Sequence, residues 1–300
     1  MALFLFLIWG PIMLAAGFAI ALRWTLLRAA PRLTTRDAIL TAIAGGVPLL
    51  VVLVLRGAQM GWVPMLWQSL EARAATPLAL GIVGVALLSV VSRPARPRST
   101  ARLAPRTART FLRPRQPISL AALTALAVAL AITAGAASEV DELGRYTRFS
   151  ISLGTSGHSA SSDIYGWYYS FPSLVLLAVL LVITALAWMS IPRPAWGEDV
   201  DLDTAVRRTR AGNIARVSCG AVLLHLAVVF GSLGGTASIA MSTSEGGLGT
   251  ISLGTPFAAM GPALFVAQEI ATVIGVVLWM LTALTAVPMT ARRRVAARVS

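Results

Sequence analysis

The sequence has no lysine, a single cysteine and few charged residues, and these scarcities exclude several classes of protein. Charged residues make up 12% of the 300 residues, whereas a soluble domain carries about 25%. Hydrophobic residues make up 57%, which also excludes intrinsic disorder. Because Cys219 is alone, neither an intramolecular disulfide nor a multi-thiolate metal site can form. The remaining class is an integral membrane protein with several spans.

Seven apolar stretches approach the roughly 20 residues that a helix needs to cross the hydrocarbon core. They cover residues 2–22, 38–55, 76–92, 117–137, 171–191, 217–236 and 262–287. No basic residue precedes Arg23, so the first stretch is predicted to be a retained span and not a secretory signal. The predicted fold is an all-α polytopic membrane protein with seven transmembrane helices.

The arginines predict how these spans are oriented. Of the 25 arginines, 21 follow the first, third, fifth and seventh spans. Basic loops stay in the cytoplasm, so the N-terminus is predicted outside and the C-terminus inside. Attraction to anionic lipids of the inner leaflet then explains the net charge of +13, and no nucleic-acid partner is required. The predicted location is a bacterial inner membrane.

An Arg- and Pro-rich segment, residues 93–116, divides the spans into two parts. Its prolines break helices and its like charges repel, which is typical of an extended cytoplasmic linker. A three-helix membrane part, residues 1–92, precedes it, and a four-helix part, residues 117–290, follows. A basic cytoplasmic tail is predicted at residues 291–300.

The two outer loops of the four-helix part, residues 138–170 and 237–261, share a pentapeptide. Ile-Ser-Leu-Gly-Thr occurs at 151–155 and again at 251–255. Two interpretations of this match stay open: the four-helix part consists of two related helical hairpins, or the match is a coincidence. The first loop also holds all four tyrosines, which predicts an aromatic belt at the outer headgroups.

Alternating apolar and polar residues in these loops predict a small extracytoplasmic β-layer. Residues 237–242 and 249–254 are expected to pair as a hairpin that turns through Glu245, Gly246 and Gly247. Residues 148–153 are expected to add a third strand, since a bare hairpin is marginal in water. The alternative is two unrelated mobile loops.

Three polar residues within the predicted spans form a candidate intramembrane site. Glu269 and Gln268 lie in the seventh span, and His225 lies near the middle of the sixth. Ionisable groups in hydrocarbon usually face a bundle interior or a water-filled cavity. They are read either as part of a transport path or as buried hydrogen-bonding groups.

The inner loop at residues 196–216 is predicted to end in a helix, because acidic residues precede basic ones. Asp203, Arg207, Arg208 and Arg210 are the candidate docking residues for a cytoplasmic partner. The alternatives are a short helix lying on the membrane and a capped extension of the sixth span. In the second span, Gly45, Gly46 and Pro48 predict a kink.

Motifs for enzymatic chemistry are scarce. The chain contains neither a phosphate-binding loop with its lysine nor a paired-histidine zinc motif. Ser156, His158 and Asp163 share a loop, but the surrounding sequence does not form a nucleophile elbow. No catalytic, cofactor or metal site is predicted, and the protein is expected not to be an enzyme.

The segment Tyr165–Tyr169, followed by Ser170, Phe171 and Pro172, resembles a pattern in poorly characterised multi-pass membrane proteins of high-GC Gram-positive bacteria. Those proteins are associated with ATP-binding-cassette transporter components. The resemblance covers residues 160–216 and implies a permease-like or accessory subunit of a transport system, with an ATP-binding subunit as partner. It carries over no catalytic residue. The alternative function is an autonomous secondary transporter or channel that uses Glu269 and His225.

Overall fold

The computed structural model describes residues 2–25, 27, 31–58, 69–90, 108–152, 159–192, 200–244 and 250–288. Most of these residues are helical, and short strands occur in two loops. The helices are α1 Ala2–Thr25, α2 Thr35–Ala58, α3 Leu70–Ser89, α4 Ala108–Phe111, α5 Arg115–Ala136, α6 Trp167–Ser190, α7 Val200–Ala237 and α8 Gly261–Thr285.

Six of the described helices, α2, α3 and α5–α8, are long and apolar enough to cross a membrane. This finding supports a multi-pass membrane protein. Helix α3 begins at Leu70 and not at residue 76, where the sequence predicted the third span to start. Ser69 caps its first turn by accepting a hydrogen bond from the Ala72 amide at 3.2 Å. The earlier start moves Arg73 from a predicted loop into a helix.

Helix α7 lies at the centre of the bundle and packs against α3, α5, α6 and α8. Its 38 residues span roughly 57 Å, about twice the thickness of the hydrocarbon core. Asp201 and Asp203 lie in its first turn, where they complement the helix dipole. The interpretation of this region as an extension of the sixth span is therefore correct, and the alternative of a separate helix on the membrane surface is wrong.

One end of the bundle, here called the arginine end, joins helices through arginine side chains. Arg23 of α1 donates to main-chain carbonyls at the end of α8. Arg210 and Arg207 of α7 donate to carbonyls at the ends of α3 and α6. The acceptors are the carbonyl oxygens of Leu284, Val287, Leu88, Val90 and Ile191. Each carbonyl lies in the last turn of its helix or just beyond it, where helical amide donors run out, so the arginines add donors and positive charge at the negative end of each helix dipole.

The opposite end, here called the hairpin end, carries two separate antiparallel sheets. β1 Glu139–Val140, β2 Tyr146–Ser152 and β3 Ser159–Asp163 form one, in the order β1-β2-β3. β4 Ala240–Ser244 and β5 Thr250–Gly254 form the other, with Ser242 opposite Ser252. The predicted pairing of these two segments is confirmed, with the first strand at 240–244 and not at 237–242; the predicted turn through Glu245, Gly246 and Gly247 lies outside the described residues. The prediction that residues 148–153 extend it is wrong, since β2 finds its partners within its own loop.

Asp141 holds the turn between β1 and β2. Its carboxylate accepts hydrogen bonds from the amides of Leu143 and Arg145, from the Arg145 guanidinium and from the Thr147 hydroxyl. The hydrogen bond from the main-chain amide of Arg145 contributes most to lowering the pKa of Asp141 to about 2. Hydrogen bonding to Asp141 in turn raises the pKa of Arg145.

The shared pentapeptide occupies different positions in the two loops. Ile151 and Ser152 end β2, the central strand of the three-stranded sheet, whereas residues 251–254 lie in β5, the second strand of the two-stranded sheet. Residues 153–155 lie outside the described part of the chain. The two units touch through the rings of Phe149 and Phe257, whose centroids are 5.5 Å apart. The sequence match therefore does not reflect equivalent places in the two hairpins.

The predicted linker is partly described. Residues 93–107 lie outside the described residues, as does the predicted tail at 291–300. Within residues 108–116, the short helix α4 places Phe111 in the core, 4% exposed. The Arg207 guanidinium lies over the Phe111 ring, 5.9 Å from its centroid. This cation–π contact fixes the last part of the linker beneath α7.

Candidate functional site

Helix α3 begins below the hairpin end of α7. The two helices are antiparallel, because Arg210 contacts the end of α3 and the His225 ring lies 2.9 Å from the Ala74 carbonyl near its start. From His225, α7 continues for twelve residues to Ala237. Only one turn of α3 precedes Ala74, so α3 starts roughly 12 Å short of the end of α7.

A cleft of ≈ 80 Å³ lies beside the start of α3 and is called the hairpin-end cleft. Its walls come from α2, α3, α7 and α8 and are mainly aliphatic, with Val52, Leu55 and Leu224 among them. Arg73 is the ionisable side chain in this lining, and Gln268 adds an amide. The described lining of the cleft thus combines an aliphatic wall with a guanidinium group.

A second cleft, of ≈ 40 Å³, opens at the other end of the same helices and is called the arginine-end cleft. Helices α2, α3 and α7 line it, and its polar side chains include Asp37, Thr41 and Arg210. Thr34 caps α2, since its hydroxyl oxygen accepts a hydrogen bond from the Asp37 amide at 3.2 Å and the hydroxyl donates to the Asp37 carboxylate at 2.8 Å. This cleft contains charges of both signs.

The middle of the α2–α3–α7 contact is closed by glycine and alanine. A Cβ atom at Gly81 would lie 2.5 Å from the Ala221 side chain, and one at Gly84 would lie 2.9 Å from Val217. Gly84 also approaches the Ala44 carbonyl, since its Cβ would lie 3.2 Å away. Helices pack this closely only where side chains are minimal.

The three helices present the two clefts and the closed middle in the same order. Along α3, the order is Arg73 and Pro77, then Gly81 and Gly84, then Leu88; the matching middle residues are Ala44 on α2 and Val217 and Ala221 on α7. We call this contact the α2–α3–α7 seam. It joins two clefts, each with some polar side chains in a largely aliphatic lining, across a tightly packed middle.

His225 is buried, 3% exposed, and both of its ring nitrogens have neighbours other than Glu269. Nδ1 donates to the Ala74 carbonyl at 2.9 Å. Nε2 lies 3.4 Å from the Tyr165 hydroxyl. Tyr165 is fully buried, which raises its pKa to about 12 and keeps the hydroxyl protonated. His225 therefore connects the start of α6 with the first turn of α3.

Glu269 and Gln268 lie side by side on α8. The Gln268 amide donates to the Glu269 carboxylate at 2.9 Å, and Gln268 packs against Gly231 of α7. Because Gln268 lines the hairpin-end cleft, Glu269 is next to the cleft without being part of its lining. The structure brings Gln268 and Glu269 together and places His225 with a different set of partners.

Of the four candidate docking residues, Arg208 is the exposed one. Arg207 is 8% exposed and forms an ion pair with Asp203 at 3.0 Å. Arg210 is partly buried and bonded to the end of α3. Arg207 and Arg210 therefore hold the helices together, and any partner surface on α7 has to centre on Arg208.

The remaining predicted polar residues form no site in the described structure. Ser156 and His158 lie outside the described residues. Among the residues that are described, no three His, Cys, Asp or Glu side chains come together as a metal site. Tyr146 and Tyr168 are exposed as an aromatic belt requires, but Tyr165 is not, since Ile164 and Tyr165 enter the core together.

Sequence reasoning missed Arg73 because it treated the residue as part of an outer loop. The signal was present, since Arg73, Pro77, Gly81 and Gly84 recur at spacings of four, four and three residues. Such spacing places them on one helix face. Asp37 and Tyr165 carried no comparable signal, because their roles depend on contacts between distant segments.

Comparison of the chain with models of protein families, with curated proteins and with solved structures gives no match. The fold and the seam are therefore interpreted from their own geometry.

Proposed function

We propose that this protein is a permease-like membrane protein that moves a small solute along the α2–α3–α7 seam. The observation that carries the proposal is the order of the seam: a cleft with some polar side chains at each end and a tightly packed middle. Alternating access requires this arrangement, because each cleft opens to one side while the contact between them stays closed. Glycine contacts allow helices to slide or rock with little steric cost.

The proposed topology has seven spans, with the N-terminus outside and the C-terminus in the cytoplasm of a bacterial inner membrane. Helix α1 supports a seventh span, because its Arg23 reaches the end of α8 and the two C-termini lie together at the arginine end. The uneven distribution of arginine supports a cytoplasmic arginine end. The hairpin end then faces outward.

Cysteine accessibility tests transport without knowledge of the substrate. In a Cys219→Ala background, Ala227→Cys reports on the hairpin-end cleft, Thr209→Cys on the arginine-end cleft and Val217→Cys on the closed middle. A membrane-impermeant thiol reagent is applied to each side of oriented vesicles. We expect each cleft cysteine to react from its own side and Val217→Cys to react slowly from both.

Val276→Cys is the matched control, since Val276 is fully buried on α8 and lines neither cleft. If Val217→Cys is inert from both sides while the cleft cysteines react, the seam does not open and the proposal is wrong. If Val217→Cys and Val276→Cys react equally, the bundle loosens as a whole, and this result also contradicts the proposal.

An ATP-binding subunit remains the proposed partner in the accessory-subunit version of this function. Arg208 is the docking residue to test, because it is exposed whereas Arg207 is buried. We expect Arg208→Glu to reduce co-purification of a cytoplasmic ATPase, with Arg36→Glu, an exposed residue near the start of α2, as the control. Undiminished co-purification excludes this docking site.

A further inference from the structure

We infer that a cluster of four arginines at the arginine end binds the phosphate group of an anionic phospholipid in the adjacent leaflet. The cluster consists of Arg113 and Arg115 at the start of α5, Arg216 of α7 and Arg23 of α1. None of the four belongs to the described lining of either cleft of the seam. The inference therefore goes beyond the proposed transport and does not depend on it.

Contacts beside Gly212 bring α5 and α7 together at this cluster. A Cβ atom at Gly212 would lie 3.6 Å from the Gln116 amide nitrogen and 3.7 Å from Nη2 of Arg216. The Gln116 side-chain oxygen accepts a hydrogen bond from the Arg113 main-chain amide at 3.1 Å, which leaves the side-chain nitrogen as the donor on this side. Nitrogen donors from two helices therefore lie next to each other beside the glycine.

Arg216 and Arg23 form the inner side of the cluster. Nη1 of Arg216 donates to the Asn213 side-chain oxygen, and the Asn213 amide donates to the Thr285 hydroxyl at 2.8 Å. Arg23 donates to the carbonyl of Leu284, the residue before Thr285. The two guanidinium groups are thus held at the same end of α8. Nη2 of Arg216 has no partner among the described residues and is left to donate to a ligand.

Positive charge in the cluster is unbalanced. The guanidinium groups of Arg113, Arg23 and Arg115 all repel that of Arg216, and no carboxylate acts on Arg216 in the described part of the chain. Helix α5 adds to the imbalance, because the positive end of its dipole lies at Arg115 and its first turn contains no acidic residue. Like charges held together in this way raise the free energy of the folded protein, and an anion among them lowers it.

Sequence and helix geometry separate the five acidic residues on this side from the cluster. Four of them lie in the first turn of α7 or directly before it, and that turn is roughly 20 Å along the helix from Arg216: Glu198, Asp199, Asp201 and Asp203. The fifth, Asp37, attracts Arg210. The sequence next to α1, α5 and α8 that lies outside the described residues contains no aspartate or glutamate: residues 26, 28–30, 91–107 and 289–300. The counter-charge therefore has to come from outside the chain.

The position of the cluster favours a lipid phosphate over a soluble one. Helix α5 begins at Arg115 and α8 ends at Thr285, so the cluster lies where two helices long enough to span the membrane reach the headgroup level. Arg113 and Arg115 are exposed, and Ile118, one turn further along α5, is 66% exposed. A phospholipid places its phosphate on the arginines and an acyl chain along this apolar face, whereas inorganic phosphate uses the arginines alone.

Quenching of a fluorophore next to the cluster tests the inference. Ile118→Cys in the Cys219→Ala background is labelled with bimane, and the full-length protein is placed in phosphatidylcholine nanodiscs that contain a small fraction of phosphatidylglycerol. Bromine on the acyl chains of one lipid at a time quenches the label and reports which lipid lies beside it. We expect phosphatidylglycerol to be enriched about tenfold beside this label, the size of one charged hydrogen bond.

One variant and two controls locate the site. Arg113→Gln combined with Arg115→Gln should abolish the enrichment, and the fold should persist because both side chains are exposed. Arg32→Gln combined with Arg36→Gln removes two exposed arginines near the start of α2 and should leave the enrichment unchanged. Ile132→Cys, 50% exposed near the other end of α5, should show no preference between the two lipids.

Three outcomes overturn the inference. If enrichment persists in the variant that lacks Arg113 and Arg115, these arginines do not bind the lipid. If the control that lacks Arg32 and Arg36 loses it equally, net charge and not the cluster attracts the lipid. An excess of inorganic phosphate is compared with chloride at the same ionic strength; if phosphate alone removes quenching by brominated phosphatidylglycerol, the cluster binds a soluble phosphate and the assignment to a lipid is wrong.

Discussion

At the arginine end, side chains of one helix satisfy the terminal carbonyls of another, whereas at the hairpin end the chain itself turns back as paired strands. Arg23 joins helices at opposite ends of the sequence, and Arg210 joins α7 to α3. The strands at the hairpin end pair only within their own loop. The arginine end therefore joins helices through charged side chains, whereas the hairpin end combines local strand pairing with contacts between distant segments, such as the hydrogen bond of the Thr236 hydroxyl to the Asp163 carbonyl.

The difference has a functional consequence for the seam. Arg210 both lines the arginine-end cleft and bonds the end of α3, so this end of the seam is anchored. At the hairpin end, the side-chain hydrogen bond from α7 to α3 is that of His225 to the Ala74 carbonyl, and Pro77 offers no amide hydrogen to the beginning of α3. Movement of α3 is therefore expected to be larger at the hairpin end.

The largest effect is expected where the arginine end is broken. Arg207→Ala removes the ion pair with Asp203, the bond to the Ile191 carbonyl and the contact with Phe111. Because these groups are buried, we expect a loss of about 3 kcal/mol in the free energy of unfolding. Unfolding in mixed micelles by a denaturing detergent measures it.

Arg208→Ala is the matched control for that measurement, since the neighbouring side chain is exposed. Its free energy of unfolding should stay within about 0.5 kcal/mol of the parent. Similar losses in both variants would mean that the total positive charge, and not the carbonyl contacts, stabilises this end.

A smaller effect is expected from Tyr165→Phe at the hairpin end. The variant keeps the buried ring and removes the hydroxyl that lies 3.4 Å from His225 Nε2. An unpartnered buried nitrogen costs about 1 kcal/mol. Hydrogen exchange should rise locally, in the first turn of α3, while the ends of α3 and α6 at the arginine end keep their protection.

Tyr146→Phe is the control, because Tyr146 is 49% exposed and its ring remains. It should leave the exchange rates of α3 unchanged. Faster exchange at both ends of α3 in Tyr165→Phe would contradict the separation of the two ends.

The fold was more predictable from the sequence than the candidate site. Long apolar runs specify spans, and two β-like segments around Glu245, Gly246 and Gly247 specify the β4–β5 hairpin, because each depends on neighbouring residues. The pairing of residues 148–153 was predicted wrongly, since any nearby edge strand satisfies the same alternation. The strands that pair with β2 lie in its own loop, and composition alone does not reveal which edge a strand will choose.

Gly45 and Arg73 show why the site was harder to predict. Gly45 was expected to mark a kink, which stays a prediction; the structure shows instead that a Cβ atom at Gly45 would lie 2.5 Å from the Trp279 carbonyl of α8. Gly46, its neighbour, has nothing within 4 Å. The sequence does not distinguish a glycine that permits close packing from one that faces open space, because the difference belongs to a distant helix.

The smallest effect concerns the Asp141 turn at the hairpin end and appears only in acid. The pKa of Asp141 in the folded protein is about 2, below its ordinary value of 3.8. The carboxylate therefore contributes stability that is complete above pH ~4 and is lost as the pH falls toward 2. In protein labelled with ¹⁵N-arginine, the Arg145 amide resonance should titrate near pH 2, because that amide donates to Asp141. Asp141→Asn should abolish this titration, and the side-chain resonance of Arg23 at the arginine end should not change over the same range. A midpoint near 4 would show that the turn does not hold the carboxylate, and a simultaneous shift at Arg23 would show that the two ends respond together.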